Sequence, residues 1–115
     1  VWILTKTHGV LFLGVNEDIR CYNAENAKIN INSTSCIFKD SYGYLWLGTH
    51  GGGLSRYNDK NDCFDTQEVV RSLADEYVYS ITEDNDKNLW ITTNRGLFRL
   101  LFGITRGEIC RICSL

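Results

Sequence analysis

The sequence contains no proline, which is unusual for a loop-rich chain, and no function follows from that. It has no apolar run near the roughly 20 residues needed to cross a bilayer, so these residues are not expected to span a membrane. It has no excess of either charge. With 12 basic and 14 acidic residues the formal net charge is −2, too small a field to recruit nucleic acid or an anionic membrane. No helical stripe persists for two turns, except weakly from Gln67 to Asp75. Val1 already lies in a strand-like run with no basic-then-apolar leader ahead of it, so an export signal is expected outside these residues.

Five cysteines are present, Cys21, Cys36, Cys63, Cys110 and Cys113. Their odd number and irregular spacing argue against a disulfide framework. Cys110 and Cys113 form a lone CxxC with no second pair, and His8 and His50 are far off in sequence. No metal site is expected; the thiols read as small apolar side chains that fill strands.

Self-similarity dominates what is there. Ile37 to Gly52 (IFKDSYGYLWLGTHGG) lies over Ile81 to Gly96 (ITEDNDKNLWITTNRG) at an ungapped offset of 44. Ile37/Ile81, Asp40/Asp84, Leu45/Leu89, Trp46/Trp90, Thr49/Thr93 and Gly52/Gly96 coincide. One gap later, Leu54 and Arg56 fall on Leu97 and Arg99. A third copy opens the chain. At an offset of 34, Ile3, Gly9, Leu11, Leu13 and Gly14 match Ile37, Gly43, Leu45, Leu47 and Gly48, with Phe12 in place of Trp46. A competing alignment lays Trp2 over Trp46 at an offset of 44. It matches the tryptophan but loses the turn glycine and most of the apolar alternation, so the offset of 34 is preferred.

Each unit reads as a small antiparallel sheet. In the middle copy, Cys36 to Lys39 is a short β-forming run and Asp40 to Gly43 is turn chemistry. Asp at the first turn position bonds its own backbone two residues on, and Gly takes the positive φ at the end. Tyr44 to Thr49 forms a second strand, Gly51 to Gly53 a reversal, Leu54 to Tyr57 a third strand, and Cys63-Phe64 opens a fourth. Four short strands per unit of about 40 residues is the period of a propeller blade. The expected fold is all-β: a β-propeller fragment of about three antiparallel four-stranded blades. The repeat copies cover about 1–34, 35–78 and 79–115 of a partial propeller spanning 1–115. Trp46 and Trp90 are expected at equivalent, largely buried positions.

The pattern I-x-x-D-x-x-G-x-L-W-x-G-T-x-x-G-G-L-x-R-Y-N resembles the two-component regulator propeller repeat. Ile37 to Asn58 fits it almost throughout and Ile81 to Leu100 fits well. Ile3 to Asn23 fits more loosely, with Lys6 where the acidic turn residue belongs. The resemblance implies a periplasmic sensor region of a bacterial membrane receptor, often a hybrid histidine kinase that detects glycans. Leu101 to Leu115 follows without the usual Asn/Asp turn, so the last blade is expected to be incomplete. About three blades do not close a ring, and a piece of a larger protein is expected, with the parent's remaining blades as partners.

Repeated residues are poor catalytic candidates, because a catalytic site is normally asymmetric. Asp40, Asp84 and Glu83 are therefore no hydrolytic pair, and Gly51 to Gly53 precede neither a helix nor a lysine that would make a phosphate loop. No catalytic residue and no cofactor are expected. The candidates are polar positions where the repeat varies, on loops expected to open on one face around the central channel. The second-to-third-strand loop carries Asn16, Glu17 and Asp18 in the first copy, His50 in the second, and Asn94 with Arg95 in the third. The interblade loops add Ser33, Thr34, Glu76 and Tyr77. His50, Asn94, Arg95, Asn16 and Tyr77 are the candidate ligand residues, with Arg95 placed to grip an anionic group on a sugar. The expected function is non-catalytic ligand sensing, with an oligosaccharide as the ligand and a receptor homodimer as the parent. The alternative is a protein-interaction scaffold segment of another propeller protein.

Overall fold

The structure is a computed structural model. It describes residues 1–30, 33–66, 68–73, 76–102 and 109–114, with the backbone alone for 68, 69 and 109–111. Three antiparallel sheets follow one another along the chain. The first holds β1 (Trp2–Leu4), β2 (Val10–Leu13) and β3 (Ile19–Tyr22) in that order. The second holds β4 (Thr34–Lys39), β5 (Leu45–Thr49), β6 (Leu54–Asn58) and β7 (Cys63–Asp65). The third holds β8 (Val78–Glu83), β9 (Leu89–Thr93), β10 (Gly96–Phe102) and β11 (Ile109–Ser114). A 3-10 turn, Glu68–Leu73, falls in the window of the weak helical stripe and buries Val70 and Leu73.

The repeated turn has a chemical reason. Asp40 Oδ1 accepts the backbone N–H groups of Tyr42 (3.0 Å) and Tyr44 (2.9 Å), while Oδ2 accepts Trp46 Nε1–H at 2.8 Å. Asp84 does the same with Asp86, Asn88 and Trp90 Nε1, the last at 2.7 Å. One carboxylate thus closes the hairpin and satisfies the indole donor, which would otherwise be costly to bury. Gly43, at φ 92°, completes the Asp40 turn. Arg56 and Arg99 then face Trp46 and Trp90 across the sheet, with guanidinium carbons 5.6 and 5.2 Å from the rings.

The first sheet corrects the alignment of the opening copy. Thr5 N–H and Oγ1–H both donate to the Gly9 carbonyl, and His8 N–H donates to Thr5 Oγ1. Thr49, Gly53 and Gly52 make the same three bonds 44 residues later. Trp2 pairs Phe12, Ile3 pairs Leu11 and Leu4 pairs Val10, as Trp46 pairs Arg56, Leu47 pairs Ser55 and Gly48 pairs Leu54. The offset is therefore 44 and Trp2, not Phe12, stands at the position of Trp46. Phe12 occupies the arginine position, and its ring meets Trp2 at 4.7 Å. The sheet comprises equivalents of the second, third and fourth strands of a blade.

Sheets pack face to face. Between the first and second lie Val10, Tyr22, Ile29, Leu47 and Phe64, ringed by Trp2, Leu4, Phe12, Leu45 and Tyr57. Between the second and third lie Trp46, Leu54, Val70, Val78, Ile81, Leu89, Ile91 and Leu100. Gly48 is required there: a Cβ on it would meet Cys36 Sγ at 2.6 Å and Val78 Cγ1 at 2.7 Å. Trp46 is fully buried, but Trp90 is only half-buried, because its face of the third sheet has no sheet against it among the described residues. The fourth strand expected to be missing from the last copy is present as β11, paired with β10 through a bulge at Leu101/Phe102. The sheet of three strands is the first. The tail is described only in part, and the side chain of Cys110 lies outside the described residues.

Candidate functional site

Strand alternation sorts the connections onto two ends. The reversals opened by Asp40 and Asp84, and the turn before β7, lie at one, the turn end. The loops from β5 to β6 and from β9 to β10, with the interblade segments, lie at the other, the loop end.

At the loop end the segment before β8 acts as a tie. The Glu76 carbonyl accepts N–H groups from Gly51 (3.2 Å) and Gly53 (3.0 Å). Its carboxylate, buried, pairs with Arg95 Nη1 at 3.0 Å. Tyr77 and Asn94 exchange two bonds, Tyr77 N–H to Asn94 Oδ1 at 2.9 Å and Asn94 N–H to the Tyr77 carbonyl at 3.1 Å. His50 stacks on Tyr77 with centroids 5.7 Å apart and planes 14° apart, and Tyr79 approaches edge-on at 6.4 Å. His50 N–H donates to the Ser33 carbonyl. Tyr77 and Tyr79 remain 48% and 54% exposed, enough for a ring face to meet a ligand.

His50, Tyr77, Asn94 and Arg95 therefore come together. Asn16 does not. With the offset corrected, the segment from Gly14 to Asp18 is the third-to-fourth-strand turn of its sheet and lies at the turn end. The loop equivalent to His50 in the first sheet is Lys6-Thr7-His8, where Thr7 Oγ1 and His8 Nδ1 lie 2.8 Å apart. Tyr79 was not among the expected residues, and Glu76 was named only as a varied loop position. The signal for Glu76 was its place in a varying loop; nothing in the pattern marks its carbonyl as a double acceptor.

The shifted acids belong to the turn end. The Asp84 carboxyl is held below its ordinary value, chiefly by the bond from Trp90 and then by the Asn88 amide. Asp62 is lowered in the same direction by the hydroxyls of Tyr22 and Tyr57, each 2.6 Å from Oδ1. Among the described residues no group of three or more His, Cys, Asp or Glu side chains is arranged to hold a metal.

No curated protein matches the chain. The extracellular domain of a hybrid two component system from B. thetaiotaomicron has the same fold. Its structure aligns with a TM-score of 0.67 and 23% identity over 96% of this chain and 15% of that one. The chain thus spans 15% of that neighbour's length. The family model described as two component regulator propeller matches residues 28–51 and 72–95. Each window runs from an interblade segment through the Asp turn to the loop end, and the two stand at the 44-residue offset of the repeat. The chain folds as a propeller segment, and two of its stretches are similar to the two component regulator propeller repeat.

Proposed function

We propose that this segment belongs to the extracytoplasmic sensor region of a two-component receptor and carries no catalysis of its own. In this reading it is periplasmic, its parent is a homodimer, and its loop end binds an oligosaccharide. The observation that carries the reading is the convergence of His50, Tyr77 and Asn94, with the exposed ring of Tyr79 beside that of Tyr77. Aromatic faces take the apolar face of a pyranose, and amide and imidazole groups take its hydroxyls. Arg95 contributes mainly by holding Glu76, and through it the glycine reversal of the neighbouring sheet. Ligand contacts that differ between two receptor states would shift their equilibrium.

Calorimetric titration of the intact chain with a glycan panel tests this. Tyr77→Ala should weaken binding by about 0.5–1.5 kcal/mol, the scale of a ring contact, while Asn16→Ala at the opposite end should leave it unchanged. Equal affinities for all three proteins would remove the loop end from consideration.

The scaffold alternative has its own support in the outward face of the first sheet, where Val1, Ile3, Leu13 and Ile19 are exposed. In the receptor reading this face meets a further blade of the parent protein.

A further inference from the structure

Four segments meet at the loop end between the second and third sheets, 33–35, 49–53, 76–79 and 93–96, and Glu76 and Arg95 are their only charged side chains. The two pair with each other, Arg95 Nη1 donating to Glu76 Oε1 at 3.0 Å. The Glu76 side chain is only 10% exposed and that of Arg95 is 62% exposed. The Glu76 carbonyl is held at the same time by the N–H groups of Gly51 and Gly53. The carboxylate is thus the fixed member of the pair, and it already balances the guanidinium charge that faces solvent. An anion arriving at Arg95 would give up its hydration for a cation whose field the buried carboxylate opposes.

The uncharged groups favour hydroxyls. Asn94 Oδ1 is taken by Tyr77 N–H, which leaves Nδ2 to donate. The ring nitrogens of His50 and the hydroxyls of Tyr77 and Tyr79 have no hydrogen-bond partner among the described residues. Phenol hydroxyls both donate and accept. A sugar hydroxyl does the same and can meet either role, whereas a carboxylate oxygen only accepts.

We infer that the loop end selects neutral oligosaccharides over uronic-acid ones and that Glu76 sets this choice, a selection that rests on the glycan reading above. It takes the place of the expected grip of Arg95 on an anionic sugar group. Glu76 acts through Arg95: it removes the net charge that would draw an acidic sugar. The guanidinium edge turned away from Glu76 is left to donate to neutral hydroxyl oxygens. Discrimination of this kind works by penalising the wrong partner as much as by rewarding the right one.

The test is calorimetric titration of the intact chain with oligogalacturonate, oligoglucuronate and oligomannuronate, each against its own carboxyl-reduced, neutral form. A reduced form should bind at least about tenfold more tightly than its acidic parent, since like charges brought together across an interface are strongly disfavoured. That gap should narrow between about 50 and about 500 mM salt, where exposed charges are screened, while the affinity of the neutral form stays constant. Glu76→Gln keeps the shape of the side chain and the backbone bonds to Gly51 and Gly53 but leaves the guanidinium uncompensated. It should erase the preference by tightening the acidic form at least about fivefold, within the effect of one charge-assisted bond, with the neutral form unchanged. Tyr77→Ala should weaken both forms alike, and Lys6→Ala, in the equivalent loop of the first sheet, should alter neither. Binding of no member of any pair overturns the glycan reading and the selection together. Acidic forms that bind as tightly as the neutral ones or more so, and lose affinity in Tyr77→Ala, leave the glycan reading in place and overturn the selection alone. A preference that survives in Glu76→Gln overturns the role of Glu76.

Discussion

The two interfaces between sheets are built on the same backbone and filled differently. Between the second and third sheets one indole, Trp46, sits fully buried among aliphatic side chains. Between the first and second, five rings meet: Trp2, Phe12, Tyr22, Tyr57 and Phe64, with centroids 4.7–6.1 Å apart. The repeat thus fixes the hairpins and their polar closures, while the filling of the gap is free to vary so long as its volume is conserved.

The largest expected effect bears on that difference. Trp46→Ala should cost about 3–5 kcal/mol in chemical denaturation, and Trp90→Ala or Trp2→Ala distinctly less, since both are half-buried. Equal losses would show that burial between sheets is not what the indole supplies. Gly48→Ala comes next, at about 1–3 kcal/mol, because the added methyl overlaps Cys36 on the paired strand and Val78 across the gap. Asp40→Ala leaves the buried Trp46 donor and two turn amides unsatisfied and should cost a similar 1–3 kcal/mol.

A smaller effect is read against pH. Asp84 and Asp62 both have folded-state pKa values depressed below the ordinary carboxylate value. Their stabilisation is therefore fully present above that value and is lost as pH falls through the depressed folded values. Asp84→Asn should flatten the acid limb of the denaturation midpoint while changing little of its shape at neutral pH. An unchanged acid limb would mean that the bond from Trp90 does not favour the charged form. Smallest of all is Arg95→Ala. Its pair with Glu76 joins an exposed guanidinium to a buried carboxylate, and the loss should stay near 1 kcal/mol.

Much of this was readable beforehand, and the failures share a cause. Asp40/Trp46 and Asp84/Trp90 recur at one spacing, so the turn and its tryptophan were legible, although the bond between them was not. The opening copy was misread because the second blade reverses twice through a positive-φ glycine, at Gly43 and again at Gly53. Gly9, at φ 80°, was matched to Gly43 at 92° when its equivalent is Gly53 at 74°. A glycine reports that the chain turns, not which turn it is making. That slip carried Asn16 to the wrong end of the sheet and put Phe12 in the place of Trp2. His50, Asn94 and Arg95 were placed at one end because they were located by the offset of 44, which needs no choice between glycines. The engagement of Arg95 with Glu76 was hidden, since it depends on how two loops distant in sequence meet.

The bonds from Trp46 and Trp90 to the aspartates six residues before them also bear on how the chain acquires its structure. Each closes within a single hairpin, so it can form in microseconds without any neighbouring sheet being in place. The contacts around Trp46, by contrast, join residues tens of positions apart and carry the entropy of closing long loops. Hydrogen exchange should therefore find two classes of protected amide. Those of Tyr44 and Asn88, held by the aspartates, should open with their own hairpins, and those facing the gap between sheets should open only when two sheets separate.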